Sequence, residues 1–367
     1  MAERGARLTL VDLEKTYGTF TALRRTNLQI EPGEFFSLIG PSGSGKTTLL
    51  GAVAGFSPAS RGRIEIDGTD ISSMPPFMRN IGMVFQNYAL FPHMSVFENV
   101  AFPLKLRKLP AAEVKQRTQA MLATVRLPDV GHRMPSQLSG GQQQRIALAR
   151  AAVYSPRMLL MDEPLGALDK NLREEMQFEI KAFHRKVDAT VLYVTHDQDE
   201  AAAMSDRLAI MNGGEIVQHG TPRDLYEHPR NAFVACFLGS ANLIDVTAKP
   251  QASGGQSLHV PIKGGALKAL DTMSGTATAA NSVVCIRPES IRIETGTPAV
   301  SEDDNTLEGR ILDAVYTAGM FRYQVETDQG AVMTVRLPSV RQSDMLPMSA
   351  RVSLIWPAAA TLLINKE

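Results

Sequence analysis

The stretch Gly40-Pro41-Ser42-Gly43-Ser44-Gly45-Lys46-Thr47 fits the pattern G-x-x-x-x-G-K-[ST]. The apolar run Phe35-Phe36-Ser37-Leu38-Ile39 precedes it, and the helix-like Thr48-Leu49-Leu50-Gly51-Ala52-Val53 follows. This strand–loop–helix setting separates a phosphate cradle from an ordinary glycine-rich turn, and it demands an α/β fold. Glycines let successive backbone N–H groups converge on one anion, and the following helix adds its positive end. Lys46 is expected to reach the β- and γ-phosphates of a nucleotide, Thr47 to hold Mg²⁺, and Thr48 to line the start of the helix.

Further stretches narrow the chemistry. Met158-Leu159-Leu160-Met161 has the continuous apolar character of a parallel strand buried on both faces, and it ends in Asp162-Glu163. Carboxylates at the tip of such a strand suit two tasks: Asp162 in the Mg²⁺ shell and Glu163 as general base on an attacking water. Leu138-Ser139-Gly140-Gly141-Gln142 precedes the helical run Ile146-Ala147-Leu148-Ala149-Arg150. A serine and two glycines at a helix start make a second anion site by the same helix-terminus physics.

Leu-Ser-Gly-Gly-Gln is the signature sequence of the ATP-binding cassette (ABC) ATPases, and the chain resembles them over nearly its whole length. The resemblance assigns Gln86, after the strand-like Ile81-Gly82-Met83-Val84-Phe85, to the Q-loop as a catalytic and Mg²⁺ residue. It assigns His196, after Thr190-Val191-Leu192-Tyr193-Val194-Thr195, to the switch histidine, and Ala167-Leu168-Asp169 to the D-loop. Gly166 stands where many members carry Ser. Tyr17 occupies the place of an adenine-stacking aromatic, with a hydrophobic filler as the alternative. The implied site is composite. One subunit offers Tyr17, the 40–48 loop, Gln86, Asp162, Glu163 and His196; the other offers Ser139, Gly140, Gly141 and Gln142.

At 367 residues the chain is long enough for two domains. Its 38 basic and 38 acidic residues cancel, so there is no cationic footprint for nucleic acid. The N-terminus lacks the apolar core of a signal peptide, and no stretch of ~20 apolar residues offers a membrane span. Cys236 and Cys285 lack ligand-like spacing and read as buried free thiols of a reducing compartment.

Short alternating strands are expected through residues 8–66, and helices through 87–137 with Ala111-Ala112-Glu113-Val114 the clearest case. Strand–helix alternation then returns, and Asn212-Gly213-Gly214 signals a hairpin. Beyond Gly239-Ser240 many short strands with glycine turns predict a small β-barrel. The predicted architecture is a P-loop α/β cassette over residues 1–239, with a helical subdomain at about 87–150, and a β-rich domain over 240–367. The latter, with its Arg287-Pro288-Glu289 strand exit, resembles the TOBE region of importer ATPases, built of oligonucleotide-binding-like barrels.

A single cassette without attached membrane segments looks like the detached ATPase subunit of a bacterial importer. It implies a homodimer peripheral to the cytoplasmic face of the inner membrane, a separate integral permease and, indirectly, a periplasmic or extracellular solute-binding protein. Residues 87–97 are apolar for a loop. They are expected either to receive the permease's coupling helix or to pack the helical subdomain. The 166–177 stretch and Phe91-Pro92-His93-Met94 most resemble polyamine importers, with sugar, glycerol-phosphate and ferric-iron importers as alternatives. An ATP-gated regulatory module is the other class of function, and the presence of both Glu163 and His196 favours the enzyme.

Overall fold

The structure is a computed structural model that describes residues 5–166, 168–252, 257–271, 278, 280–296, 299–339 and 345–367. The first four residues, Ala167 of the expected D-loop and part of the Gly/Ser/Pro-rich 250–265 stretch lie outside them.

The chain divides into two compact units between Arg223 and Asp224. In the first, strands β1 (Leu8–Tyr17), β2 (Phe20–Ile30) and β3 (Phe35–Ile39) lead into α1 (Lys46–Ala54). Then come β4 (Arg61–Ile66), β5 (Thr69–Asp70), β6 (Ile81–Val84), α2 (Val96–Leu106), α3 (Ala111–Thr124), α4 (Gly140–Ala152) and β7 (Met158–Asp162). The unit continues through α5 (Lys170–Val187), β8 (Thr190–Val194), α6 (Gln198–Met204), β9 (Arg207–Asn212) and β10 (Glu215–Gly220).

The central sheet has the order β10-β9-β3-β8-β7-β6 and is parallel except for its β10 edge. Its central strands β3, β7 and β8 are buried along almost their whole length, and only Ser37, Thr190 and the terminal Asp162 in them are polar, because both faces are covered. Leu159, Met161, Val191 and Tyr193 enter a core with α2, α4 and α5, whereas Met158, Leu160, Leu192 and Val194 enter one with β1 and α1. The β9–β10 hairpin turns at Gly213 and Gly214, both at positive φ, as a two-residue turn of this hand requires. A second, antiparallel sheet, β2-β1-β4-β5, lies beyond the α1 face.

In the zone expected to be helical from residue 87, the helix begins only at Val96; the segment before it is a loop pinned by the fully buried Asn99. The Asn99 side chain accepts from Phe91 N and donates to the carbonyls of Phe91, Met94 and Ser95. A reciprocal Ser95–Glu98 cap then starts α2.

The unit boundary falls ahead of the 239/240 position that composition suggests. It lies within α7 (Pro222–Glu227), which is followed by α8 (Ala232–Phe237). Arg287 explains why the α8 segment belongs to the second unit. Its guanidinium donates to the carbonyls of Ala235 at 2.7 Å, Tyr226 at 2.9 Å and Ser240 at 3.4 Å, and it stacks on the Tyr226 ring. Glu289 accepts from the Tyr226 hydroxyl, so the Arg-Pro-Glu turn is a structural staple.

The second unit also carries β11 (Asn242–Asp245), β12 (Gln251–Ala252), β13 (Ser257–Ile262), β14 (Gly265–Asp271), β15 (Ser282–Ile286) and β16 (Arg292–Glu294). It ends with β17 (Asp304–Thr317), β18 (Met320–Thr327), β19 (Val332–Pro338), β20 (Arg351–Pro357) and β21 (Thr361–Asn365). These form two sheets, β11-β15-β21-β14-β13-β12 and β16-β20-β17-β18-β19, over one core containing Trp356, Tyr323 and Phe321. Cys285 is buried as expected, and burial pushes its thiol up to about 11; Cys236, by contrast, is exposed.

Arg287→Met should remove three charge-assisted bonds and cost the second unit about 2–5 kcal/mol. Limited proteolysis with mass spectrometry should then show new cleavage between residues 224 and 240.

Candidate active site

Parallel pairing puts the carboxyl ends of β3, β6, β7 and β8 on one edge of the sheet. The phosphate-loop pattern, Gln86, Asp162-Glu163 and His196 all follow those ends, where α/β sheets bind ligands.

The loop has no room for side chains where it turns. Gly40 has φ 156°, and a Cβ there would lie 2.3 Å from the Met211 carbonyl; Gly45 has φ 102°, and a Cβ would lie 2.7 Å from the Ala22 carbonyl. Gly45 also caps α1 without a side-chain bond, and no acid stands in the first turn. The amides there remain available to an anion. Lys46 is buried, and its Nζ donates to the carbonyls of Gly40 at 2.8 Å and Pro41 at 3.0 Å. Burial lowers its pKa, while the Glu163 and Asp162 carboxylates oppose that shift. An anion on the loop would meet this cation at once.

Asp162 is raised above the usual carboxylate range by burial and then by Glu163; Lys46 and a hydrogen bond with Thr47 pull the other way. The Thr47 hydroxyl and the Asp162 carboxyl are therefore adjacent. Among the described residues no three His, Cys, Asp or Glu side chains converge as a self-sufficient metal site. A hydroxyl and one carboxylate suit Mg²⁺, which commonly takes few protein ligands and completes its shell with water and phosphate oxygens.

Glu163 has a left-handed backbone, φ 44°. Such strain is held by paired neighbours: Glu163 N donates to the Val194 carbonyl at 2.9 Å, and Gly166 N donates to the Glu163 carbonyl at 3.1 Å. The bend aims the carboxylate so that Oε2 lies 3.3 Å from Gln86 Nε2 and 3.3 Å from His196 Nδ1. A Cβ on Gly166 would sit 3.4 Å from the Glu163 carbonyl and 3.7 Å from Gln86 Nε2, so a serine fits there without strain.

Tyr17 ends β1, half exposed, with its hydroxyl 2.8 Å from Ser57 Oγ and the Lys15 ammonium over its ring. At 50% exposure it is not a buried hydrophobic filler. Ser139 caps α4, bonded reciprocally to Gln142. Cβ atoms on Gly140 and Gly141 would each approach a leucine, Leu168 and Leu172 respectively, to 3.2 Å. Small residues there let α4 rest on the start of α5. The hydrogen-bond partners and Cβ neighbours of residues 139–141 include none from the phosphate loop.

A groove of ≈ 920 Å³ opens beside Gln86, lined among others by Phe77, Met83, Phe91, Leu106, Arg107 and Tyr154. It divides the 87–97 segment: Ala89 and Phe91 face the groove, while Tyr88 and Val96 are buried in the helical core. Phe77 and Leu106, the most exposed of its apolar residues at 83% and 66%, were not distinguishable in sequence from core positions. Two polar residues beside the site also carried no recognisable pattern, Arg173 and Glu200.

These features define an ATPase cassette, and the chain belongs to the ABC transporter ATP-binding proteins: residues 23–166 match the ABC transporter family and residues 284–364 the TOBE domain. It is an ATP-hydrolysing enzyme of the kind coupled to transport. Among its relatives is the spermidine/putrescine import ATP-binding protein PotA 2 of Pseudomonas aeruginosa, 44% identical over 90% of this chain and 91% of that one. Another is PotA of Thermotoga maritima, 43% identical over 90% and 89%. An ATP-binding cassette solved as a dimer in a post-hydrolysis state with ADP and Pi is 33% identical with a TM-score of 0.53, covering 59% of this chain and 99% of that one. The cbiO1 subunit of a Clostridium perfringens ABC transporter is 29% identical with a TM-score of 0.57, covering 61% and 92%.

Glu200, on α6 behind the His196 loop, is buried with Oε1 unpartnered. Burial raises its pKa from 4.5 to about 7; Arg173 opposes this and Glu163 adds to it. Between those values the folded chain holds a proton that the unfolded chain has lost, so this group's contribution to stability falls as pH rises. Glu200→Gln should remove that slope. In urea unfolding it should gain on the parent chain at pH 8 relative to pH 5.

Proposed function

We propose that the chain powers a bacterial importer of polyamines of the spermidine/putrescine type, as an ATPase homodimer bound to separate permease subunits at the cytoplasmic face of the membrane. The observation that carries the catalytic part is the Glu163 carboxylate, within 3.3 Å of both Gln86 and His196 on the sheet edge that bears the phosphate loop. The substrate class is supported by relatives named for spermidine/putrescine import at 40–46% identity over most of their length.

In this reading Tyr17 stacks on adenine and the amides of residues 40–48 hold the phosphates. Lys46 neutralises their charge in ground and transition states alike. Thr47, Asp162 and Gln86 hold Mg²⁺, which when bound neutralises the phosphate oxygens. Glu163 takes a proton from the attacking water, and His196 fixes that carboxylate from the other side. Ser139, Gly140, Gly141 and Gln142 act on the partner's nucleotide; within one chain the nearest atoms to Gly140 and Gly141 belong to Leu168, Leu172 and Met176 and not to the phosphate loop. ATP then holds two subunits together, and loss of the γ-phosphate releases them. The apolar groove beside Gln86 takes a cytoplasmic helix of the permease, so that closure of the dimer moves it. A solute-binding protein outside the membrane delivers the cargo.

Glu163→Gln keeps the side-chain shape but not the basicity. Turnover should fall about 10²-fold or more while ATP affinity by calorimetry stays within about threefold. Near-normal hydrolysis by this variant would sink the role of Glu163. Lys46→Ala should instead weaken ATP binding itself, by about tenfold or more. For the whole reading, cells with this chain and its permease should take up labelled spermidine, with excess putrescine competing. Leu106→Glu in the groove should abolish uptake with basal hydrolysis intact. Uptake blocked by a sugar or ferric iron but not by putrescine would refute the polyamine assignment.

A further inference from the structure

Arg173, in the first turn of α5, joins two loops that approach the site from different sides. Its Nη1 donates to Asp197 Oδ2 at 3.0 Å, and its Nη2 donates to the Leu168 carbonyl at 3.2 Å. Asp197 follows His196 directly and is locked in place: its N–H donates to Thr195 Oγ1 and its Oδ1 accepts from Glu200 N, both at 3.0 Å. At the other end, the Leu168 side chain lies against Gly140, and Leu172, which precedes Arg173, lies against Gly141. A continuous line of contacts therefore runs from the signature turn through Leu168, Arg173 and Asp197 to His196, whose Nδ1 faces Glu163.

The chemistry of this link is costly for mere packing. The Arg173 and Asp197 side chains are each 26% exposed, so the pair is partly shielded from water. Arg173 Nε and Glu200 Oε1 are both buried without hydrogen-bond partners. An apolar pair of similar volume would avoid those desolvation costs. What the guanidinium alone provides is a rigid fork that reaches two acceptors on two loops at once.

We infer that Arg173 is a positioning residue for hydrolysis, transmitting the placement of the signature-flanking segment 168–172 to the loop that sets His196 against Glu163. The inference rests on the roles proposed above for His196 and Glu163. In the dimer a chain's signature serves the partner's nucleotide while its His196 serves its own. Arg173 thus lies where the state of one site reaches the other.

A double-mutant cycle in the full chain tests this, with ATPase kinetics on the parent, Arg173→Met, Arg173→Lys, His196→Ala and the Arg173→Met/His196→Ala pair. Arg173→Met should lower kcat about tenfold with KM for ATP within about twofold, because the phosphate loop is untouched. Arg173→Lys has one point donor group and should recover no more than about a third of the lost rate. The pair should be no more than about twofold slower than His196→Ala alone. Multiplying losses in the pair, or parental kcat in Arg173→Met, would overturn the inference. A His196→Ala chain with parental turnover would instead strike the underlying reading of the site, and the route through His196 with it. Should Arg173→Met fail to fold, Asp197→Asn breaks the same link from its other end; it should give the same loss of kcat at unchanged KM and the same non-additivity with His196→Ala.

Discussion

Parallel pairing of β3 with β8, and of β8 with β7, is the constraint on which the site depends. Parallel strands share a direction, so their carboxyl ends share an edge. Elements distant in the chain then deliver a lysine, two carboxylates, a glutamine and a histidine to one place. The pairing is held by burial on both faces, since every residue of β3 and β8 is buried. With apolar side chains alternately entering two cores, a slip of one residue would exchange the two sets.

Two kinds of strain are stored against that frame. At Gly40 and Gly45 the backbone runs so close to the carbonyls of Met211 and Ala22 that no side chain fits, and Glu163 is held in a left-handed conformation by bonds that include one to the Val194 carbonyl. Both sit where charge must be handled. Lys46, Asp162 and Glu200 are all shifted toward their neutral forms, with burial the first cause for each. A desolvated lysine and a desolvated aspartate have more to gain from a nucleotide phosphate and a cation than the same groups in water. The site is built to be completed by its substrate.

The α4–α5 contact does a different job. Signature glycines let α4 rest on Leu168 and Leu172, and the polar Arg173–Asp197 pair then crosses to the histidine loop. Close packing carries displacement better than a loose contact does, because packed side chains have discrete arrangements. In the second unit Arg287 plays a comparable structural part, gathering three carbonyls from the segment that precedes the β-sheets.

The local sequence determined those parts whose physics is local. Phe35–Ile39, Met158–Met161 and Thr190–Val194 announce buried strands as short, mostly apolar runs, Gly213-Gly214 announces a hairpin, and the glycine-rich loop and signature announce helix starts. The resemblance carried Gln86 and His196, which as single residues after strands say nothing by themselves. Tertiary structure alone decided the rest. The unit boundary moved to 223/224 because Arg287 reaches back some fifty residues or more to Ala235 and Tyr226, a contact no local pattern encodes. Cys236 proved exposed, and residues 87–97 split between a groove and a core, because exposure depends on what other elements cover. Arg173 and Glu200 look in sequence like ordinary charges on helices. Their significance comes only from packing, which removes the water that would otherwise make a lone charge cheap.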